Sequence, residues 1–449
     1  MADSAPQRQL HLNTNVLSSG KHEAAWRIQD DPFGFLDVEY YRNIARIAER
    51  GTFDALFLAD HPSLDSDPGV QPWNALEPTV LLTGIAVATE HIGLIGTAST
   101  TFNDPYNLAR RFASADHVTK GRIAWNIVTT RSAITAANFG SDGIPDKDER
   151  YARAEEFVDV VLELWDSWED DALIGDRERG IFADRSKIHT IDHVGRWFSV
   201  RGPLNVPRGP QGRPVLVQAG ASAGGKRLAS RFADAVFTAQ TTLPEARAFY
   251  AEIKGDAAGS FGRDPDQIVI LPGLFPIVGS TEREAWERKE RLDSFLDFDA
   301  ELLKLAKKLG VDAELLELDK PVSPNLLAAD SGGASRGFLE ATINLSQREN
   351  LTVRQILDHN PGGHRLIVGT PEQIADDIEL WFRSRAADGF NLNADSFPTG
   401  LEPFVDHVVP LLRKRGIFRH EYTGATLRDN LGLTRPRSRH QSSGTGRAA

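Results

Sequence analysis

The segment Val215-Leu-Val-Gln-Ala219 runs into Gly220-Ala-Ser222-Ala-Gly224 and then into the helical pattern Lys226–Phe232. G-x-S-x-G between a strand and a helix has two chemical readings. In one, Ser222 is a hydrolase nucleophile on a sharp turn. In the other, the turn offers backbone N–H groups and a hydroxyl at a helix N-terminus, which suits a phosphate. A hydrolase also needs a later acid and histidine. Asp406-His407 lies inside an amphipathic helix over 402–415, where a surface pair is expected, and no HGGG-type oxyanion loop is present. Phosphate binding is therefore the favoured reading. His189-Thr-Ile-Asp192-His193 spaces two histidines around a carboxylate. The segment lacks the helical pattern that would align both imidazoles, and no third ligand is evident, so hydrogen-bonded or solvated histidines and no metal are expected. No P-loop and no G-x-G-x-x-G after a strand occurs, which weakens a dinucleotide reading.

These residues need elements to position them. Near-continuous apolar runs at 9–14, 55–59, 92–97, 123–128, 215–219, 235–238, 268–278 and 390–393 read as parallel strands buried on both faces. Helical spacing at 40–50, 79–89, 106–119, 152–168, 226–233 and 373–386 fits between them. Thr370-Pro371-Glu372-Gln373 reads as a capping box, and Thr281…Glu284 as another. About eight β/α alternations imply an α/β fold, either a closed (β/α)8 barrel or a doubly wound open sheet. A mainly helical insertion over 280–363 interrupts the alternation, as a lid or as peripheral padding. A single barrel domain is expected over 1–434, with 435–449 a disordered tail. In a barrel, polar residues at the C-terminal strand ends collect at one mouth: Asn13, Asn15, His22 and Trp26 after the first strand, Asp60 after the second, Thr97 to Thr101 after the third, and Trp125, Asn126, Thr129 and Thr130 at the fourth.

The 449 residues carry 63 acidic against 51 basic side chains, a formal charge of −12, which argues against nucleic acid or an anionic membrane surface as partner. No run approaches 18 uncharged apolar residues and no apolar segment follows a basic start, so a cytoplasmic protein is the default. There is no Cys, which excludes disulfides, thiolate nucleophiles and Cys-ligated metals, and the only Met is Met1. So few oxidisable side chains suit an enzyme handling O2, although codon bias gives the same depletion.

The runs Phe57-Leu-Ala-Asp60, Thr97 to Phe112, Gly121 to Thr129, Asn138-Phe-Gly140, Arg150-Tyr151, Gln218 to Ser222, Phe418 to Tyr422 and Thr426 to Gly432 resemble the flavin-dependent monooxygenases of the bacterial-luciferase-like superfamily. The resembling branch contains nitrilotriacetate monooxygenase component A, the dibenzothiophene-sulfone monooxygenase and pristinamycin IIA synthase, and the match spans about residues 8–434. The resemblance implies a (β/α)8 TIM barrel with insertions. It implies FMN as cofactor, taken as FMNH2 from a separate NAD(P)H:flavin oxidoreductase, with O2 and a small organic substrate oxygenated through a flavin C4a-peroxide at C–N, C–S or carbonyl positions. A homodimer or dimer of dimers is likewise implied. Asp60, Thr97, Tyr151 and Ser222 match flavin-contacting positions, and Asn126 lies in the matching Trp-Asn strand. Lys147 stands where relatives close to the desulfurisation enzyme carry His, and it could approach the phosphate as a point charge. His22 is the candidate polar group near the peroxide. Two other classes stay open: a serine hydrolase using Ser222, and a barrel that binds flavin without turnover.

Overall fold

The computed structural model describes residues 8–64, 67–220, 222–309, 312–322, 343–347, 349–358 and 364–440. Its centre is a parallel sheet of β1 (His11–Asn15), β2 (Ala55–Leu58), β3 (Gly93–Ser99), β4 (Ile123–Val128), β5 (Val215–Ala219), β6 (Ala235–Thr238), β7 (Val269–Val278) and β8 (Gly389–Leu392). β8 pairs back onto β1, so the sheet closes into a (β/α)8 barrel and is not an open doubly wound sheet. A further strand, Arg365–Gly369, was not foreseen. It pairs with the second half of β7, Leu274–Val278, after β7 has left the ring.

The helices outside the ring include α1 (Val38–Arg50), α2 (Pro78–Ala86), α3 (Pro105–Val118), α4 (Ala133–Asn138), α5 (Lys147–Trp165), α6 (Ala223–Phe232), α7 (Leu243–Phe261), α8 (Glu282–Asp293), α9 (Phe298–Leu309), α10 (Val353–Asp358) and α11 (Pro371–Arg383). Their starts follow from local chemistry. Asp37, Glu77, Asp104, Asp146 and Ser222 each accept a backbone N–H of the first turn, and Pro78 and Pro105 stand where no N–H is needed. The capping box of Thr370 and Gln373 forms in both directions. At α8 only half of the expected box forms: Thr281 accepts from the Glu284 N–H, but the Glu284 carboxylate reaches one residue further back, to the Ser280 N–H at 3.0 Å.

Registers place one residue in two on the barrel interior. Ala55, Phe57, Ile95, Ala124, Val215, Val217, Ala235, Phe237, Val269 and Leu271 form its apolar filling, and Leu427, Leu431 and Leu433 close the N-terminal end from below. Three carboxylates brace that end. Asp54, Asp234 and Asp388 stand immediately before β2, β6 and β8 and accept the N–H groups of Leu12, Leu216 and Ile270 at 2.8, 2.9 and 2.9 Å. Burial alone would raise their pKa values, but the charges of Arg419, Arg428 and Lys254 with Arg8, respectively, hold all three below the usual carboxylate range.

The expected insertion contains α8, α9 and α10, and its small separate core includes Leu305, Leu316, Leu351 and Ile356. Much of its remainder, 323–342 and 359–363 included, lies outside the described residues. Within the stretch expected to be a disordered tail, 435–440 instead follow the barrel surface. The reason is local charge: Arg435 pairs with Asp170, Arg439 with Glu163, and the His440 ring stacks on His189. Residues 441–449 lie outside the described residues.

Candidate active site

The mouth at the C-terminal strand ends is built in tiers. Phe57 and Phe237 meet edge to face at 4.5 Å between centroids and form an aromatic floor. The alternation that points these rings inward places Asn126 and Asn391 at the same depth, and Asn15, Thr97, Ala219 and Gly273 next above. Small side chains at 219 and 273 leave room. Asn126 donates to Thr97 Oγ1 at 2.9 Å, so these two candidates do meet. The Oδ1 atoms of Asn13, Asn15, Asn126 and Asn391 are buried with no protein partner. An unpaired buried carbonyl costs about 1–3 kcal/mol; Asn13 lies a tier beneath the aromatic floor, so the three at and above it, on Asn15, Asn126 and Asn391, are a standing demand for donors on a polar ligand.

The β5 side of the mouth holds the turn. Ser222 caps α6, accepting the Gly225 N–H at 3.3 Å, and its Oγ lies 2.9 Å from the Tyr151 hydroxyl. Gly224 is required there because a Cβ would stand 2.5 Å from the Tyr151 ring. Arg131 and Arg150 are close enough to interact electrostatically with Tyr151. Two hydroxyls, the N-terminus of a ten-residue helix and two guanidinium groups suit a dianionic phosphate. Lys147 is exposed in the first turn of α5, one helical turn before Tyr151, and among the described residues it has no ion pair. No histidine or carboxylate bonds Ser222 among the described residues, so the nucleophile reading lacks its base. Asp406 pairs with Arg50 on the surface.

Asp60 lies half-buried two residues after β2. Burial, with Glu77 second, raises its pKa to about 6. His22 lies on the opposite side of the mouth from Ser222, since β1 and β5 are opposed in an eight-stranded ring. It is buried, its Nδ1 accepts the Ala24 N–H at 3.2 Å, and its Nε2 is 3.0 Å from Asp293 of α8. Both ring nitrogens are thus engaged by the protein. Beside it a cavity of about 350 Å³ opens between the loops after β1 and β2. One mouth residue escaped the sequence reading. The His364 imidazole packs over Gly273, where a Cβ would fall 2.0 Å from Nδ1. A glycine inside a strand was the available signal of this close approach. Elsewhere, His189 bonds Glu169 at 2.8 Å and His193 bonds Glu156 at 3.3 Å.

The fold and site together define a TIM barrel that offers a phosphate cradle on one side of its mouth and a polar chamber over an aromatic floor. The sequence matches the model of the luciferase-like monooxygenases over residues 15–388. It is 46% identical over 447 residues to nitrilotriacetate monooxygenase component A of Aminobacter aminovorans, covering 96% of this chain and 98% of that one. Among solved structures, EDTA monooxygenase from Chelativorans sp. BNC1 superposes with a TM-score of 0.80 at 39% identity, covering 95% of this chain and 99% of the other. A riboflavin lyase solved with modified FMN and riboflavin gives a TM-score of 0.80 at 31% identity, covering 95% and 96%. The chain belongs to the luciferase-like monooxygenase family.

Proposed function

We propose that this protein uses reduced FMN and O2 to oxygenate a small organic substrate at a C–N, C–S or carbonyl position, with FMNH2 delivered by a separate NAD(P)H:flavin oxidoreductase. The observation that carries this reading is the Tyr151–Ser222 cradle, which lies across the barrel mouth from a second cavity of substrate size. Bound reduced flavin supplies the activation of O2. The chain's own residues bind, orient and exclude water. Ser222, Tyr151 and the α6 N-terminus would hold the phosphate, with Arg131 and Arg150 supplying positive charge beside Tyr151. Thr97, Asn126 and Asp60 would face the ribityl chain and ring, and the orphan amide oxygens would accept from the ring's N–H groups. Phe57 and Phe237 keep the floor dry, which protects the oxygenating species from water. His22, fixed by Asp293, orients the β1 loop at the mouth. A homodimer in the cytoplasm completes the proposal.

The test couples the purified protein to a flavin reductase with NADH and FMN, then screens tertiary amines, thioethers and ketones for substrate-dependent product. Tight FMN binding without substrate-dependent O2 uptake across that panel would favour a non-catalytic flavin barrel. Failure to bind FMN or FMNH2 in folded protein would refute the flavin reading entirely.

A further inference from the structure

The loop after β1 is pinned to the loop after β8. Lys21 N–H donates to Ala394 O at 2.7 Å and His22 N–H to Asp395 O at 3.0 Å. Gly20 makes this possible: its φ is +144°, and a Cβ there would lie 2.3 Å from Asp395 O. Asp395 is itself buried and held by Arg288 of α8. The Lys21 backbone is therefore fixed, and the residue lines the cavity of about 350 Å³.

Ser19 and His61 line that cavity beside Lys21, while the Ser18 hydroxyl and Asn74 amide in its wall already donate to Pro72 O and Ala59 O and the Ser63 hydroxyl bonds that of Thr135. Among the described residues the one carboxylate in its wall, Glu23, pairs with Lys304 of α9, and nearby Asp293 is taken by His22 and Lys289. Among the described residues the Lys21 ammonium has no ion pair within 4 Å; loss of hydration pulls its pKa below the ordinary lysine value, and the charge of Glu23, shared with Lys304, opposes this only in part. A partly buried cation facing only a carboxylate that another lysine shares is costly, and an anion docked beside it offsets that cost. The anion is not the flavin phosphate, whose cradle follows β5 on the far side of the ring.

Resting on the monooxygenase reading above, we infer that Lys21 is the specificity-determining residue for this enzyme and holds a carboxylate of the substrate in the cavity between the loops after β1 and β2. The substrate class is therefore a carboxylate-bearing amine or thioether, with the anionic end at Lys21 and the atom to be oxygenated turned toward the barrel axis.

The experiment uses a panel of small amines and thioethers, each as the free carboxylate and as its neutral primary amide. Binding to the FMN-loaded protein is followed by calorimetry and turnover by the reductase-coupled assay. For at least one pair the wild type should prefer the acid by about tenfold or more, the scale of one charge-assisted bond. K21M should erase that preference through KM for the acid, leaving the amide and FMN affinity within about twofold, and K21R should restore most of it. Wild-type protein that binds FMN but prefers no acid overturns the assignment. So does K21M lowering acid and amide alike, or weakening FMN. Wild-type protein that binds neither FMN nor any pair brings down the monooxygenase reading along with it.

Discussion

Gly224→Ala tests the phosphate cradle without deleting any of its hydrogen-bonding groups. The added Cβ would stand 2.5, 2.7 and 2.9 Å from three atoms of the Tyr151 ring. Ordinary carbon contacts begin near 3.5 Å, so the ring must move by about 1 Å. The Tyr151–Ser222 hydroxyl contact of 2.9 Å does not survive such a shift, and Tyr151 leaves the phosphate. One charge-assisted bond lost is about 1.5–3 kcal/mol, so FMN affinity should fall by one to two orders of magnitude. Stability should change little. Alanine at a helical position gains about 1 kcal/mol over glycine, against about 1–3 kcal/mol of overpacking, for a net loss below about 2 kcal/mol. Parallel calorimetric titrations with FMN and riboflavin separate the causes, because riboflavin has no phosphate. FMN should weaken while riboflavin holds within about twofold. Wild-type affinity for FMN, or equal losses for both ligands, would refute the cradle.

Asp60→Asn should flatten the pH dependence of stability in flavin-free protein. The folded carboxyl titrates at about 6 against 3.8 for the free group, so the folded state holds its proton longer and wild-type stability declines as pH rises from 4 to 6. A two-unit shift is about 3 kcal/mol, and partial exposure reduces this to roughly half. The variant should melt higher than wild type at pH 8 and show no gain at pH 4; parallel melting curves would contradict this. Gly273→Ala pushes a Cβ to within 2.0 Å of the His364 ring and should cost about 1–3 kcal/mol while lowering the product formed per O2 consumed. Wild-type coupling in that variant would remove His364 from the mouth.

The barrel was readable because strands buried on both faces leave uninterrupted apolar runs, and all eight predicted strands fall within two residues of β1 to β8. α7 was not foreseen, since Gly255 and Gly259 mask the stripe formed by Ala246, Phe249, Tyr250 and Ile253. Local motifs carried their own evidence: the turn at 220–224 declares a helix N-terminus whatever surrounds it. Contacts between distant segments did not. His22 finds Asp293 across 271 positions, so its ring nitrogens were already engaged by a helix that no local pattern connects to it. Arg131, twenty residues before Tyr151, interacts electrostatically with its hydroxyl, a pairing that no local pattern announces. Likewise the polar composition of 435–440 conceals pairings with acids far earlier in the chain.

Leu427, Leu431 and Leu433 belong to the interior of a barrel whose first strand begins at His11. A Cβ at Gly93 would lie 2.4 Å from Leu427, so β3 is shaped to receive a segment made more than three hundred residues later. On the ribosome, the ring therefore has no stopper until synthesis passes 433. Nascent chains shorter than this expose an unfilled apolar well, the kind of surface that chaperones hold.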